Sequence, residues 1–250
     1  ESLEKTLIDN YLPSISGDLC IVQLKNRVRS ETAYFEKVTV KINSILEKIS
    51  ADFASQAYFG KRWFKNIIKN LRYAEGQQII PEHKRRAAII GAGASLENQL
   101  HHLKKNSEAT LLLSSDTAAL FLVDNGIIPD YIISIDCQHI TYNHFMDKRL
   151  FKIPLIMDLG SPPFLSRLFE NRLYFTSANP LSRFIASSWR FFQFVDTFGG
   201  NVGYSGLSVA ASIGISDITM YGIDYSFINL KPYARNTFLY KHFYKKADKL

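Results

Sequence analysis

Apolar residues recur at helical spacing from Leu19 to about Ala74, and this pattern predicts a helical N-terminal region. The segment VTVKINSILEKISADF carries one apolar stripe, and WFKNIIKNL repeats it. The residues Ala74 to Pro81 (AEGQQIIP) contain Gly and Pro, which interrupt the spacing and favour a connector. We therefore expect a helical appendage over residues 1–80 and a second domain over residues 81–250.

The pattern changes at Ala87 to short apolar runs that end in Gly, Ser or Asp and precede helix-like stretches. Nearly continuous apolar strands that alternate with helices are typical of a parallel sheet covered on both faces. The sequence therefore predicts an α/β, Rossmann-like domain. The predicted strand runs are Ala87–Gly91, Ala109–Ser115, Asp130–Asp136, Ile153–Gly160, Arg172–Ala178 and Asp217–Asp224.

Composition supports an ordinary globular protein, because 46% of the 250 residues are hydrophobic and 21% are charged. No apolar run approaches the roughly 20 residues of a membrane-spanning helix, and the N-terminus lacks a signal-peptide layout. The isolated Cys20 and Cys137 favour neither a disulfide framework nor a CxxC site, so we expect a cytoplasmic protein. The first residue is Glu, and we allow for a piece of a longer chain.

The net charge of +7 raises the question of nucleic-acid binding. The positive charge lies in the flanks, because the segment from Ala87 to Leu230 holds 9 basic and 12 acidic residues. The basic stretches Lys61–Arg72 and Lys84–Arg86 fit solvated helix surfaces better than a phosphate-binding stripe. We therefore rank nucleic-acid binding low.

In an open parallel sheet, ligands bind beyond the carboxyl ends of the strands, so the loops at those ends hold the candidate residues. GAGASL follows the first strand and opens a predicted helix, where Gly91 and Gly93 would let a phosphate approach the backbone and Ser95 would cap the helix or bind the anion. A turn that needs glycine for its geometry alone is an equally good interpretation. If the phosphate interpretation holds, Gly93→Val should abolish nucleotide binding and leave stability nearly unchanged.

Acids end the next two strands. Asp116 follows Ser114 and Ser115 and either caps a helix, which we favour, or meets a ribose hydroxyl. Asp136 closes the apolar run IPDYIISID, and a carboxylate there would orient a sugar hydroxyl, hold Mg²⁺ beside phosphates or act as a base. We favour a functional role for Asp136.

Two later loops complete the set. The stretch GGNVGYSGLSVAASIG, with Gly200, Asn201, Ser205 and Gly206, would offer amides and hydroxyls to a carboxylate or phosphate, although a closely packed small-residue helix also fits much of it. The loop YGIDYSF brings Asp224 beside Tyr225. The six histidines show no metal-binding spacing, and no HExxH, GxSxG or P-loop lysine is found.

The order GAGxSL, IPDxxISID, SPP and GGNVGxSGLSVAASIGxxxITMYGIDYSF resembles the motility-associated factor (Maf) glycosyltransferases and their MptE-like relatives, over Trp63 to Phe227. GAGASL and YSGLSVAASIGISDITMYGID also resemble bacterial sialyltransferases that use CMP-sialic acid. The sequence departs from the family at two points. Ala94 stands where proline is usual, and the histidine expected after YGIDYSF is not matched, although His242 is a distant candidate.

The resemblance implies a glycosyltransferase that moves a nonulosonic, sialic-acid-like sugar from a CMP donor to Ser or Thr hydroxyls of a protein such as flagellin, without a metal cofactor. It implies that Gly91, Gly93 and Ser95 border the nucleotide, that Ser205 and Gly206 meet the sugar carboxylate or phosphate, and that Asp224 lies at the sugar or cytidine edge. Asp136 and Asp224 are the expected catalytic residues. The remaining candidate binding residues are Ser115, Asp116, Gly200, Asn201 and Tyr225.

Two alternatives stay open. The MptE-like branch implies transfer of diphosphate from ATP to a hydroxymethylpterin, with Mg²⁺ held by carboxylates such as Asp116 or Asp136. The missing proline and histidine motivate a module that binds nucleotide without turnover.

Overall fold

The computed structural model describes residues 3–11, 17–74, 84–197 and 200–247. The chain divides into two compact units, Glu1–Lys61 and Arg62–Leu250. Helices α1 (Leu3–Asn10), α2 (Lys25–Ser30) and α3 (Thr32–Asn70) confirm the helical N-terminal region, and the last turns of α3 belong to the second unit. Of the predicted connector Ala74 to Pro81, the part after Ala74 lies outside the described residues.

The second unit contains a parallel sheet, as the apolar runs predict. The runs at its centre, such as Thr110–Ser115 and Leu155–Asp158, are buried on both faces, whereas Asp217–Tyr221 is largely exposed. A short strand, Gln193–Phe194, joins the sheet without having been predicted. Across the described residues the strands are β1 (Arg86–Ile90), β2 (Thr110–Ser115), β3 (Tyr131–Ser134), β4 (Leu155–Asp158), β5 (Arg172–Thr176), β6 (Gln193–Phe194) and β7 (Asp217–Tyr221).

The strand order is β6-β5-β4-β3-β2-β1-β7, and neighbouring strands are parallel throughout. The chain therefore adds strands in one direction from β1 to β6 and then crosses to the other side of β1 for β7. Ile89 of β1 lies in register with Leu113 of β2 and with Met220 of β7.

Helices cover both faces of the sheet. The helix α8 (Val202–Ser212) packs on one face through Val209 and Ala210 against Ile89 and Leu113, and other helices pack on the opposite face around Ile90. The α/β, Rossmann-like class is therefore confirmed. The helices after β1 are α4 (Leu96–Asn106), α5 (Asp116–Asp124), α6 (Leu165–Leu168), α7 (Pro180–Ser188), α8 (Val202–Ser212) and α9 (Phe238–Ala247), and two 3₁₀ segments span His139–Phe145 and Lys148–Lys152.

Among the described helices, none combines the length and the apolar character that crossing a bilayer requires.

Candidate functional site

The sheet order places the candidate site at the carboxyl edge beside β1. The chain leaves β1 towards β2, and β7 lies on the other side of β1, so the strand order reverses there. Open α/β sheets bind ligands outside the carboxyl ends of the strands at such a switch point. The loops after β1 and β7, which hold GAGASL and YGIDYSF, are therefore adjacent.

The glycines after β1 face the loop after β7. A Cβ built on Gly93 would lie 2.5 Å from Asp224 Oδ2 and 2.8 Å from the Gly222 carbonyl oxygen, and one built on Gly91 would lie 2.5 Å from that same oxygen. The Gly93 amide donates to the Gly222 carbonyl at 2.8 Å. Gly222 itself has φ +60° and approaches the Gly91 carbonyl oxygen. Close packing of the two loops thus accounts for these glycines.

Asp224 occupies the start of α4. Its Oδ2 accepts the Ser95 amide at 2.9 Å, and its Oδ1 accepts the Ser95 hydroxyl in a short hydrogen bond. The sequence predicted that helix-start amides after Gly93 would face an external anion, whereas in the structure the anion at Ser95 is a carboxylate of the same chain. The expectation that Gly93→Val would leave stability nearly unchanged is therefore wrong, because the added side chain would collide with Asp224 and Gly222.

The loop after β7 also reaches the start of α8. The Tyr225 hydroxyl donates to Asn201 Oδ1 at 2.8 Å, and Asn201 Oδ1 caps α8 by accepting the Tyr204 amide at 3.0 Å. Tyr225 has φ +46°, an uncommon conformation for a bulky residue, and its side chain is exposed. Gly200 has φ +64° and is exposed, while Gly199 lies outside the described residues. The predicted residues Asn201, Asp224 and Tyr225 are thus brought together.

Ser205 and Gly206 lie on the buried side of α8. The Ser205 hydroxyl donates to the Asn201 carbonyl at 3.1 Å, and the Ser205 side chain is fully buried. A Cβ on Gly206 would lie 2.8 Å from Ile89 Cγ2, so this glycine lets the helix pack on β1. The expected contact of both residues with a ligand is therefore corrected to a packing role, as the small-residue alternative proposed.

Ser115 and Asp116 are engaged within the protein at the end of β2. Ser115 caps α5, since its Oγ accepts the Ala118 amide at 3.2 Å, so the assignment of Asp116 as the cap was wrong by one residue. The buried Asp116 accepts the Thr117 amide at 2.7 Å and the Ser134 hydroxyl at 2.8 Å. These bonds fix the Asp116 carboxylate between the ends of β2 and β3.

Asp136 is half-buried at the end of β3 and forms a second group with Asp116. Burial raises the pKa of Asp136, the Gln138 amide at 2.9 Å acts to lower it, and the nearby Asp116 carboxylate raises it further. The imidazole of His144 lies close enough to lower the pKa of Asp136 slightly in return. An acid whose pKa is moved towards neutrality beside solvent is suited to proton transfer.

Two polar residues at this edge were not selected from the sequence. Asp158 ends β4 and is buried, and burial raises its pKa to about 6, with the Ser177 hydroxyl and the Gly160 amide opposing the rise. Asp158 follows the apolar run IPLIM as Asp136 follows YIISI, so the same signal could have found it. His144 carried no sequence signal, because its proximity to Asp136 depends on the 3₁₀ segment.

The structure therefore gathers the predicted residues into two groups, one at β1, β7 and α8, and one at β2 and β3. Within the described ranges, no cluster of three or more His, Cys, Asp or Glu side chains could hold a metal ion. Magnesium is often bound by one or two carboxylates together with substrate phosphates. Asp116 and Asp136 are the two carboxylates that could contribute to such a site.

The sheet order and the polar carboxyl edge define an α/β protein of the Rossmann-like class. The family model described as 6-hydroxymethylpterin diphosphokinase MptE-like matches residues 61–230, and the chain belongs to this family.

Two uncharacterized proteins of Treponema pallidum (strain Nichols) are similar to the chain. One is 31% identical over 146 residues, 56% of this chain and 69% of that protein. The other is 36% identical over 98 residues, 38% of this chain and 35% of that protein.

A Maf glycosyltransferase from Magnetospirillum magneticum AMB-1 has a similar structure, with a TM-score of 0.58 and 21% sequence identity. The likeness covers 72% of this chain but 31% of that one, so the chain spans under a third of the neighbour's length. The matched parts of the two proteins therefore share a fold.

Proposed function

We propose that the chain transfers a sugar from a nucleotide donor to a hydroxyl acceptor at the carboxyl edge of the sheet. The observation that carries the proposal is the fold likeness over 72% of this chain to a Maf glycosyltransferase. The half-buried Asp136 at this edge supports it, because an acid with a raised pKa can take up the proton of an attacking hydroxyl.

The transfer needs few groups, because the donor already carries a good leaving group. The acceptor oxygen forms a bond to the anomeric carbon while its proton passes to Asp136, and the bond from the anomeric carbon to the phosphate oxygen breaks. The nucleotide leaves with that electron pair, and helix-start amides stabilise its phosphate. In this scheme a phosphate at Ser95 takes the donors that Asp224 now holds.

The resemblance of the motifs supports the finer assignment. We propose that the donor is CMP linked to a nonulosonic sugar and that the acceptor is a Ser or Thr hydroxyl of a protein such as flagellin. Gly91, Gly93 and Ser95 would then border the nucleotide, although the two glycines would act through the shape of the loop. Asn201 and Tyr225 would border the sugar.

A second candidate is the transfer of diphosphate from ATP to a hydroxymethylpterin, the activity in the family description. The pair Asp116 and Asp136 favours it. Burial is the main cause of the raised pKa of Asp136, and a cation between the two carboxylates would relieve the repulsion from Asp116 that adds to it. Each carboxylate keeps lone pairs beyond the hydrogen bonds described. These two residues would hold Mg²⁺, which would neutralise the phosphates of ATP.

Calorimetric titration of the full chain with CMP, UDP, NAD and ATP, each with and without Mg²⁺, tests these proposals. We expect CMP to bind without a requirement for Mg²⁺. A preference for ATP with Mg²⁺ would replace the first candidate with the second. Binding of CMP without sugar transfer or donor hydrolysis, in the presence of an acceptor protein, would favour a nucleotide-binding module that lacks turnover.

A further inference from the structure

Asp158, at the end of β4, carries a buried carboxylate oxygen, Oδ2, to which the described residues donate no hydrogen bond of normal geometry. Its Oδ1 accepts the Gly160 amide at 2.5 Å, but within the described part of the chain Oδ2 accepts no hydrogen bond. The side chain is 6% exposed. A buried acceptor without a hydrogen bond is costly, and such atoms in folded proteins are rare enough to require an explanation.

The loop that follows Asp158 is otherwise held in place by hydrogen bonds. Asn66 donates to the Gly160 carbonyl at 2.9 Å, and Asn70 donates to the carbonyls of Leu159 and Ser161 at 2.8 Å. The Ser161 hydroxyl donates to the Ser134 carbonyl at 3.1 Å. Since the loop is fixed by these bonds, the position of the Asp158 carboxylate is fixed before any ligand binds.

An aromatic ring lies beside the same loop. A Cβ built on Gly160 would lie 2.8 Å from Asp158 Oδ1 and 3.1 Å from Trp63 Cδ1, so the indole and the acid flank this glycine. Trp63 is partly exposed. On the other side, the Ser177 hydroxyl lies close enough to the carboxylate to lower the pKa of Asp158, and Ser177 precedes the exposed Ala178. Asp158 is thus buried close to both an aromatic ring and a hydroxyl.

We propose that Asp158 and Trp63 select the heterocyclic base of the substrate, a flat ring with an exocyclic amine whose hydrogen Asp158 Oδ2 accepts. Aromatic side chains bind flat rings, and a polar acceptor at the ring edge supplies specificity. The inference rests on the proposed function. The strands β1 and β4 are three positions apart, about 14 Å, which an extended nucleotide spans when its phosphate lies at β1.

Two sources share this chemistry, the cytosine of a CMP donor and the aminopyrimidine ring of a pterin. The experiment uses the full chain with Trp189→Phe, which leaves Trp63 as the sole tryptophan of the sequence. Calorimetric titrations at pH 7.5 with CMP, UMP and 6-hydroxymethylpterin give the affinities, and Trp63 fluorescence reports whether CMP binds nearby. We expect CMP to bind more tightly than UMP and to change the Trp63 emission.

The decisive variant is Asp158→Asn, which preserves shape and replaces the acceptor oxygen with an amide donor. We expect the affinity for the amine-bearing ligand to fall at least about tenfold and the preference to reverse towards UMP, which presents a carbonyl at the same position. Asp217→Asn, at an exposed acid on β7, is the matched control, and we expect it to preserve the preference.

A ligand-side comparison covers the case in which Asp158→Asn does not fold. The N4,N4-dimethyl form of CMP lacks the amine hydrogens, and we expect the parent protein to bind it at least about tenfold more weakly than CMP. An unchanged ratio of CMP to UMP in the folded variant, or equal binding of the dimethyl form, would overturn the inference and leave the proposed function standing. Failure of the parent to bind any of the probes would contradict the proposed function itself.

The parent could bind the pterin and not CMP, as the second candidate function predicts. In that case, a tenfold loss of affinity for the pterin in Asp158→Asn would support the inference. Unchanged pterin affinity in that variant would overturn it.

Discussion

Asp158 should lower the stability of the protein at neutral pH. Burial raises the pKa of Asp158 from 3.8 to about 6, so the folded state holds its proton over a range in which the unfolded chain has lost it. The destabilisation of the folded state by Asp158 is absent well below pH 3.8, develops as the pH rises, and is complete above pH 6. At 1.36 kcal/mol for each pH unit, the full cost is about 3 kcal/mol.

Asp158→Asn removes this titration. By the same linkage, wild-type Asp158 costs about 1 kcal/mol at pH 4.5 and about 3 kcal/mol at pH 7.5. The free energy of unfolding of the variant should therefore rise relative to wild type by about 2 kcal/mol between these two pH values. The difference at any single pH also includes the new amide, whereas the change with pH isolates the carboxylate.

Urea unfolding followed by far-ultraviolet circular dichroism at both pH values measures this change. The pKa values of Asp147 and Glu97 are lowered in the folded state, so these acids stabilise the protein increasingly as the pH rises. Their contribution is the same in wild type and in Asp158→Asn. Asp18→Asn, at an exposed position, controls for the substitution itself. A difference between wild type and Asp158→Asn that stays constant from pH 4.5 to 7.5 would refute the reasoning.

Three further predictions concern the carboxyl edge. Gly93→Ala should lower the free energy of unfolding by about 1–3 kcal/mol in urea denaturation, because its Cβ meets Asp224, whereas Gly60→Ala, with open space around it, should not destabilise the protein. Asp136→Asn should reduce turnover about 10²- to 10⁴-fold in a donor-consumption assay while CMP affinity stays within threefold, and unchanged turnover would exclude it as the base. Ser115→Ala should cost about 1 kcal/mol through loss of the α5 cap, and an unchanged urea midpoint would contradict the capping geometry.

Local patterns in the sequence were enough to predict six of the seven strands in the described residues. The strand β2 illustrates this, since its six residues are all buried and its apolar centre, Leu111 to Leu113, is what a strand between two helical layers requires. The strand β6 escaped prediction because two residues at the edge of a sheet carry no periodic signal. The domain boundary near residue 80 stays a prediction, because residues 75–83 lie outside the described part of the chain.

The candidate site was only partly predictable, because its contacts join distant parts of the chain. Ser95 and Asp224 are 129 positions apart, and each was selected for a role towards a ligand rather than towards the other. Ser205 and Gly206 were placed at the ligand, since spacing alone does not show which side of α8 faces the sheet. Asp158 was overlooked, although the apolar run that precedes it is similar to the run that precedes Asp136.

The position of β7 also has a consequence for biosynthesis. The strand β1 pairs with β2 on one side soon after it is made, but its other neighbour ends at Tyr221, roughly 130 residues later. At ribosomal rates of about 5–20 residues per second, the outer edge of β1 remains without its native partner for on the order of 10 s. During this interval an apolar strand with unpaired backbone groups is exposed to other nascent chains, so the newly made protein is most vulnerable to aggregation just before its last strand emerges.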